Sequence, residues 1–186
     1  MGTWRHSPAE ESVRRQWHVP ETLLRDIGLK PGMVFMDIGC GEGFFTIPAA
    51  EITGSQGKVY AVDSDAMAID NLRSKVSRKG LSNVIAEVGT AEETVFCAGC
   101  SDIVFFSMVL HDFRDPEKVL QNARQMIKPS GRLVNLDWKK KRSFLGPPLN
   151  VRFSEDKAQN LIEAASFKVE GVKDAGKNHY LITAKP

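Results

Sequence analysis

The chain has 186 residues, with 25 Lys and Arg against 23 Asp and Glu, a formal net charge of +2. That length accommodates one domain with a sizeable core and no second domain of ordinary size, and the near balance of charge excludes a global bias toward nucleic acid or membrane. A hydrophobic share of 42% with 26% charged residues is ordinary for a soluble globular fold, and no apolar run approaches the roughly 18 residues that would span a bilayer. Residues 1–19 set Trp4, His6, Trp17 and His18 among charges without a strong period, which fits either a disordered leader or a short lid. They lack the apolar core of a signal peptide, and His6 breaks the myristoylation pattern, so the expectation is a cytoplasmic protein.

Further along, Val34 to Ile38 reads as a buried strand that breaks into the turn Gly39-Cys40-Gly41-Glu42-Gly43 and opens a helix from Phe44 to Ile52. Glycines there admit torsions and close approaches that a Cβ would block, and the helix N-terminus beyond offers unpaired amides. A nucleotide-type ligand binds at such a turn. Lys58 to Val62 is the next strand and ends in Asp63, about twenty residues after the glycines, where an α/β nucleotide fold presents a carboxylate to ribose hydroxyls. A helix from Ala66 to Lys79 and a strand from Asn83 to Val88 follow, then Gly89-Thr90-Ala91.

Cys97-Ala98-Gly99-Cys100 precedes a strand from Ile103 to Phe106, which places the cysteine pair at the N-terminal edge of a parallel sheet. Three cysteines, an odd count, do not read as a disulfide framework, zinc would need two further ligands, and these two are expected to be plain loop thiols. Ser107 and then His111-Asp112 come after that strand. From Pro116 to Ile127, Val119, Leu120, Ala123, Met126 and Ile127 recur at helical spacing and give one apolar face to the sheet. A strand from Arg132 to Asp137 leads to the loop Trp138-Lys139-Lys140-Lys141-Arg142, with Leu145-Gly146-Pro147-Pro148-Leu149 and Arg152 beyond. The last helix, Ser154 to Ala165, has Ser154 as its N-cap, and strands Lys168 to Val172 and Tyr180 to Ala184 close the chain as a hairpin around Ala175-Gly176-Lys177-Asn178.

Asp37-x-Gly39-x-Gly41-x-Gly43 departs from the dinucleotide fingerprint, because Phe44 stands where its third glycine belongs. The pattern resembles motif I of class I S-adenosylmethionine-dependent methyltransferases. From Leu23 to Lys185 the remaining landmarks of that family follow in order, and the chain is most similar to the small single-domain prokaryotic enzymes grouped with the quinone-biosynthesis methyltransferases. This resemblance implies an α/β fold: a Rossmann-like, doubly wound, seven-stranded and mostly parallel sheet ending in an antiparallel hairpin, with residues 1–186 as a single domain. It implies S-adenosylmethionine as cofactor. Asp37, Gly39, Cys40, Gly41 and Gly43 would then face its methionine and ribose portions, Asp63 the ribose hydroxyls, Ser64 and Met67 the adenine, and Gly89, Thr90, Ala91 and Ser107 the rest of the cleft. Asp63 is also compatible with a helix N-cap near Asp65. Thr90 replaces an acid common in the family, so it supplies hydrogen bonding without charge.

Methyl transfer displaces a neutral thioether from a sulfonium, so no acid is needed at the leaving group and a base only when the acceptor carries a proton. His111 is the candidate base, with packing as its alternative role, and Asp112 either orients it or caps the next helix. Trp138 and Arg152, in a loop stiffened by two prolines, are candidate acceptor contacts, Arg152 for a carboxylate or phosphate. Asp112, Asp115 and Asp137 have no spacing that fixes a metal, and none is expected. A small-molecule acceptor is expected, with no membrane partner. Nucleic acid is disfavoured by the lack of an Asn-Pro-Pro-Tyr-type motif and of a broad basic stripe. Neither the acceptor nor an oligomeric state is written in the sequence. A noncatalytic S-adenosylmethionine-binding subunit or sensor is the alternative, since fold alone does not prove turnover.

Overall fold

A computed structural model describes residues 8–143 and 146–186. Trp4 and His6 of the leader and Leu145 of the proline loop lie outside the described residues. Seven strands, β1 (Val34–Ile38), β2 (Lys58–Asp63), β3 (Val84–Val88), β4 (Ser101–Ser107), β5 (Ile127–Trp138), β6 (Lys168–Asp174) and β7 (His179–Lys185), form one sheet in the order β3-β2-β1-β4-β5-β7-β6. The first five run parallel, and β7 is antiparallel to both β5 and β6, which is the expected terminal hairpin. Strand order reverses direction between β1 and β4. In an open α/β sheet the ligand crevice lies at the carboxyl ends of the strands at that point.

Among the described residues six α-helices complete the fold: α1 (Pro8–Trp17), α2 (Pro20–Asp26), α3 (Thr46–Thr53), α4 (Ala66–Arg78), α5 (Pro116–Met126) and α6 (Glu155–Ala164). Leu120, Ala123 and Met126 of α5 and Ala158 and Ile162 of α6 bury one sheet face with Val104, Phe106, Leu133 and Ile182. Leu24 of α2 and Ala49 and Ala50 of α3 cover the other with Phe35, Phe105, Val134, Leu136 and Leu181. Burial on both faces explains why the central strands read as continuous apolar runs.

Local chemistry sets the helix ends. Asp65, not Asp63, caps α4, its Oδ1 accepting the amides of Met67 at 2.9 Å and Ala68 at 3.3 Å. Asp115 caps α5 and Ser154 caps α6 in the same way. Asp112 therefore has no capping duty on α5.

The structure departs from the sequence reading in three places. Residues 8–26 form α1 and α2, where the sequence reading has a leader or short lid up to residue 19. Strand β5 starts at Ile127 rather than Arg132, because Ser101 and Ile127 pair across a register shift and carry the turn-like Pro129 and Gly131 into extended backbone. Cys97 and Cys100 are joined as a disulfide rather than standing as plain loop thiols. Backbone bonds from Gly99 to Gln125 and from Cys100 to Met126 fold this loop so that the two Cα atoms lie 6.0 Å apart, within disulfide reach. The odd count concealed the pair because the third cysteine, Cys40, is buried in the glycine turn.

Asp65→Ala removes the acceptor for two orphan amides and should lower the unfolding free energy by roughly 1 kcal/mol. Urea denaturation would show this as a lower midpoint at unchanged slope.

Candidate active site

The glycine turn leaves β1 at the switch point with Gly39, Gly41 and Gly43 at φ of 76, 53 and 87°, all in the left-handed region. Space adds to the torsional demand at Gly39, where a Cβ would lie 2.8 Å from Cγ1 of Val109, and at Gly43, where it would overlap Leu72 of α4. Glu42 fastens the turn to α4 through Lys75 at 2.8 Å and Asn71 at 2.9 Å. Asp37 is buried beneath it. Its Oδ2 accepts the Thr46 hydroxyl at 2.6 Å, while Oδ1 has no hydrogen-bond partner among the described residues. Burial pushes the Asp37 carboxyl up to about 6, with the Thr46 hydrogen bond pulling the other way.

Asp63 ends β2 with Oδ2 accepting the Gly41 amide at 2.8 Å and Oδ1 the Asp65 amide at 3.0 Å. The carboxylate thus braces the turn and still has lone pairs to offer. Beside it Ser64 is exposed, and Met67 leaves 72% of its surface in water. Cys40 is buried, with Sγ 3.5 Å from the Gly41 carbonyl, and burial raises its thiol well above the ordinary range, so it stays protonated. Gly89 donates to the Asp63 carbonyl, Ala91 is buried and Thr90 is exposed on the same rim. Asn122 of α5 holds this segment through the Ala91 and Glu92 carbonyls.

At the end of β4, Ser107 is buried with its hydroxyl unpartnered among the described residues. Met108 takes φ 60°, an uncommon torsion for a residue with a side chain, and turns the chain into a single 3-10 turn, Leu110–Asp112. His111 in that turn is buried, and its Nδ1 meets Oδ1 of Asp137 at 2.7 Å. A carboxylate only accepts, so Nδ1–H is the donor and Nε2 is left for chemistry. Asp137 Oδ1 also accepts the Trp138 amide at 2.8 Å, which fixes the carboxylate at the end of β5. Asp112 Oδ1 stands 3.5 Å from Nε2, too far for a good hydrogen bond. Burial pulls the His111 pKa down, but the hydrogen bond and charge of Asp137, with the charge of Asp112 beside them, outweigh it, and the net shift is upward. Asp137, which spacing offered only as a weak metal ligand, is the group that orients His111.

Aromatic and cationic groups frame the rim beyond. Trp138 contacts Trp17 edge-on at 5.2 Å and His179 at 4.2 Å, and His18 Nε2 lies 3.2 Å from His179 Nδ1. Burial drives both imidazoles toward the neutral form, His18 to about 4 and His179 to about 3. Arg152 stacks over Trp138 at 5.0 Å and donates to the carbonyls of Pro147 at 2.8 Å, Lys141 at 3.0 Å and Lys139 at 3.3 Å. That geometry gives it the work of holding the loop. Lys139 pairs with Asp174 and Lys141 with the Lys177 carbonyl, so these two cations fasten the loop to the terminal hairpin. Trp17, His18 and His179 carried no local signal in the sequence, since strand pairing and helix docking bring them together. Among the described residues no group of three or more His, Cys, Asp or Glu is placed to hold a metal ion. No described helix is long and apolar enough to cross a membrane.

This order of strands, with a glycine turn and a β2 acid at one edge, defines a class I methyltransferase fold. A family model described as a methyltransferase domain matches residues 29–181, and the chain belongs to that family, in its class I S-adenosylmethionine-dependent branch. A crystal structure of an S-adenosylmethionine-dependent methyltransferase from Aquifex aeolicus superposes with a TM-score of 0.88 at 29% identity, over 97% of this chain and 98% of that one. The ubiquinone/menaquinone biosynthesis C-methyltransferase of Vibrio parahaemolyticus is 32% identical over 114 residues, 61% of this chain and 44% of that protein. The demethylmenaquinone methyltransferase of Geobacillus stearothermophilus is 30% identical over 126 residues, 68% of this chain and 54% of that protein. The matched part therefore spans about half the length of these curated relatives.

Asp137→Asn removes the charge that raises His111. A proton bound more tightly in the folded protein stabilises it fully below the unfolded value of 6.5, and that gain is lost as pH rises through the folded value. The stability gap between wild type and Asp137→Asn should accordingly narrow from pH 6 to pH 9. Proton NMR should place the His111 midpoint above 6.5 in wild type and lower in the variant; an unmoved midpoint would refute the pairing.

Proposed function

We propose that this protein transfers the methyl group of S-adenosylmethionine to a small-molecule acceptor whose proton His111 removes. A cytoplasmic setting belongs to the same proposal. The observation that carries it is the His111–Asp137 pair, 2.7 Å apart and buried at the same sheet edge as the glycine turn. The turn fits the cofactor on its own chemistry. Three left-handed glycines admit a ligand against backbone, and the unpartnered Asp37 Oδ1 suits an ammonium donor. Asp63 has spare lone pairs for two vicinal hydroxyls, and exposed Met67 offers an apolar surface to a purine, with Ser64, Gly89, Thr90, Ala91 and Ser107 completing the cleft. Cys40 contributes its backbone, because its thiol is turned to Gly41 and kept neutral.

When bound, S-adenosylmethionine supplies an electrophilic methyl group whose departure leaves a neutral thioether. The protein's share is position and one proton. Asp137 holds the Nδ1–H tautomer, so Nε2 presents a lone pair toward an acceptor O–H or N–H. Once His111 has taken the proton, the adjacent carboxylate stabilises the imidazolium, the same influence that raises its pKa. Trp138, with Arg152 clamping the loop around it, gives the acceptor an apolar wall. The quinone-biosynthesis relatives act as C-methyltransferases by name, and a proton-bearing ring acceptor suits both that name and a base at this position.

Titration calorimetry should show binding of S-adenosylmethionine and S-adenosylhomocysteine and none of oxidised nicotinamide dinucleotide, with Asp63→Ala weakening both adenosyl ligands by roughly tenfold or more. In an acceptor screen that follows methyl loss from the bound donor, His111→Ala should lower turnover by about 10² to 10⁴-fold at unchanged donor affinity. Donor binding with no methyl loss to any acceptor would favour the sensor reading instead.

A further inference from the structure

Helix α1 crosses the carboxyl edge of the sheet, where its described side chains meet the rim of the site. None of its described side chains belongs to the apolar clusters that hold the sheet to its helices. Its anchors are polar and aromatic contacts at the site itself. Trp17 meets Trp138 edge-on, and His18, which directly follows the helix, meets His179. Only His18 and Val19 separate α1 from α2, whose first residue, Pro20, fixes the entry angle with its restricted φ.

In its last turn α1 carries Arg14 and Arg15. Arg14 lies over the ring of Phe44 with Cζ 4.2 Å from the centroid, and Phe44 is the residue immediately after Gly43. Its guanidinium is therefore held beside the residue that follows the glycine turn. Arg14 also lowers the Asp37 carboxyl against the upward push of burial, and its charge reaches His18 and His179. Arg15 sits farther from the same ring, at 5.7 Å, and reaches Glu21 at 3.5 Å on the outside. The two arginines thus divide, one over the cleft and one outward.

A free α-amino acid group is a zwitterion and requires an anion and a cation a few ångströms apart. Asp37 supplies the anion from beneath the turn, with one oxygen uncommitted among the described residues. We propose that Arg14 supplies the cation: from the last turn of α1 it binds the α-carboxylate of the methionine portion of the cofactor. This inference rests on the cofactor assignment above and extends it to a residue outside the glycine motif. A planar guanidinium matches a carboxylate bidentately, which a lysine does not.

Two ligands separate this role from the general one. S-adenosylhomocysteine carries the amino-acid group, and 5′-methylthioadenosine keeps the adenosyl thioether without it. By calorimetry on the full chain, Arg14→Ala should weaken S-adenosylhomocysteine by roughly 10 to 100-fold and leave methylthioadenosine within about twofold, with Arg14→Lys in between. Arg14 lies outside the core clusters, so the variant should keep the wild-type thermal midpoint within a few degrees. Unchanged S-adenosylhomocysteine affinity, or equal loss for both ligands, would overturn the proposal while leaving the cofactor assignment standing. Wild-type protein that binds neither ligand would overturn both.

Discussion

The close contact between Gly39 after β1 and Val109 after β4 is the constraint on which the site depends. No Cβ fits there, so the two carboxyl-edge loops at the switch point pack directly against each other. One consequence is that the cofactor turn and the His111 turn share a wall. Met108 enables the approach with a left-handed torsion that costs about 1 to 3 kcal/mol and that the surrounding sheet sustains. Glu42, tied to Lys75 and Asn71 of α4, fixes the far side of the turn. The geometry of the cleft is thus set by packing before any ligand arrives.

Buried charge is concentrated at this edge and its two carboxylates are handled differently. Asp137 is matched by His111 and by a backbone amide, and its hydrogen bond and charge shift the His111 pKa upward. Asp37 has one hydroxyl partner and one uncommitted oxygen, so burial pushes its carboxyl up to about 6. An unpaired buried carboxylate is costly, and a ligand ammonium offsets that cost on binding. The same physics that makes Asp37 a poor structural residue suits it to the ammonium contact proposed above.

Around this rigid centre the rim is built from weaker contacts. Arg152 organises the proline loop through three carbonyls, and Lys139 and Lys141 pin it to the hairpin. Neutral His18 and His179 join α1 to β7 without bringing charge into the rim.

By itself the sequence determined the architecture and the cofactor turn, because both are local signals. Apolar runs of strand length, helical periodicity in α5, caps at Ser154 and glycines at alternate positions each act within a few residues. The two-carboxylate scheme was half legible: Asp37 and Asp63 lie at fixed spacing from the glycines, whereas Asp137 pairs with a histidine 26 residues away. Only the tertiary structure decided that Asp137 rather than Asp112 orients His111, that Arg152 clamps a loop, that Cys97 and Cys100 are bonded, and that α1 sets Arg14 over Phe44. Each of these depends on which strand ends and loops meet at an edge of the sheet. Strand order and register fix those meetings, and residue spacing along the chain does not encode them.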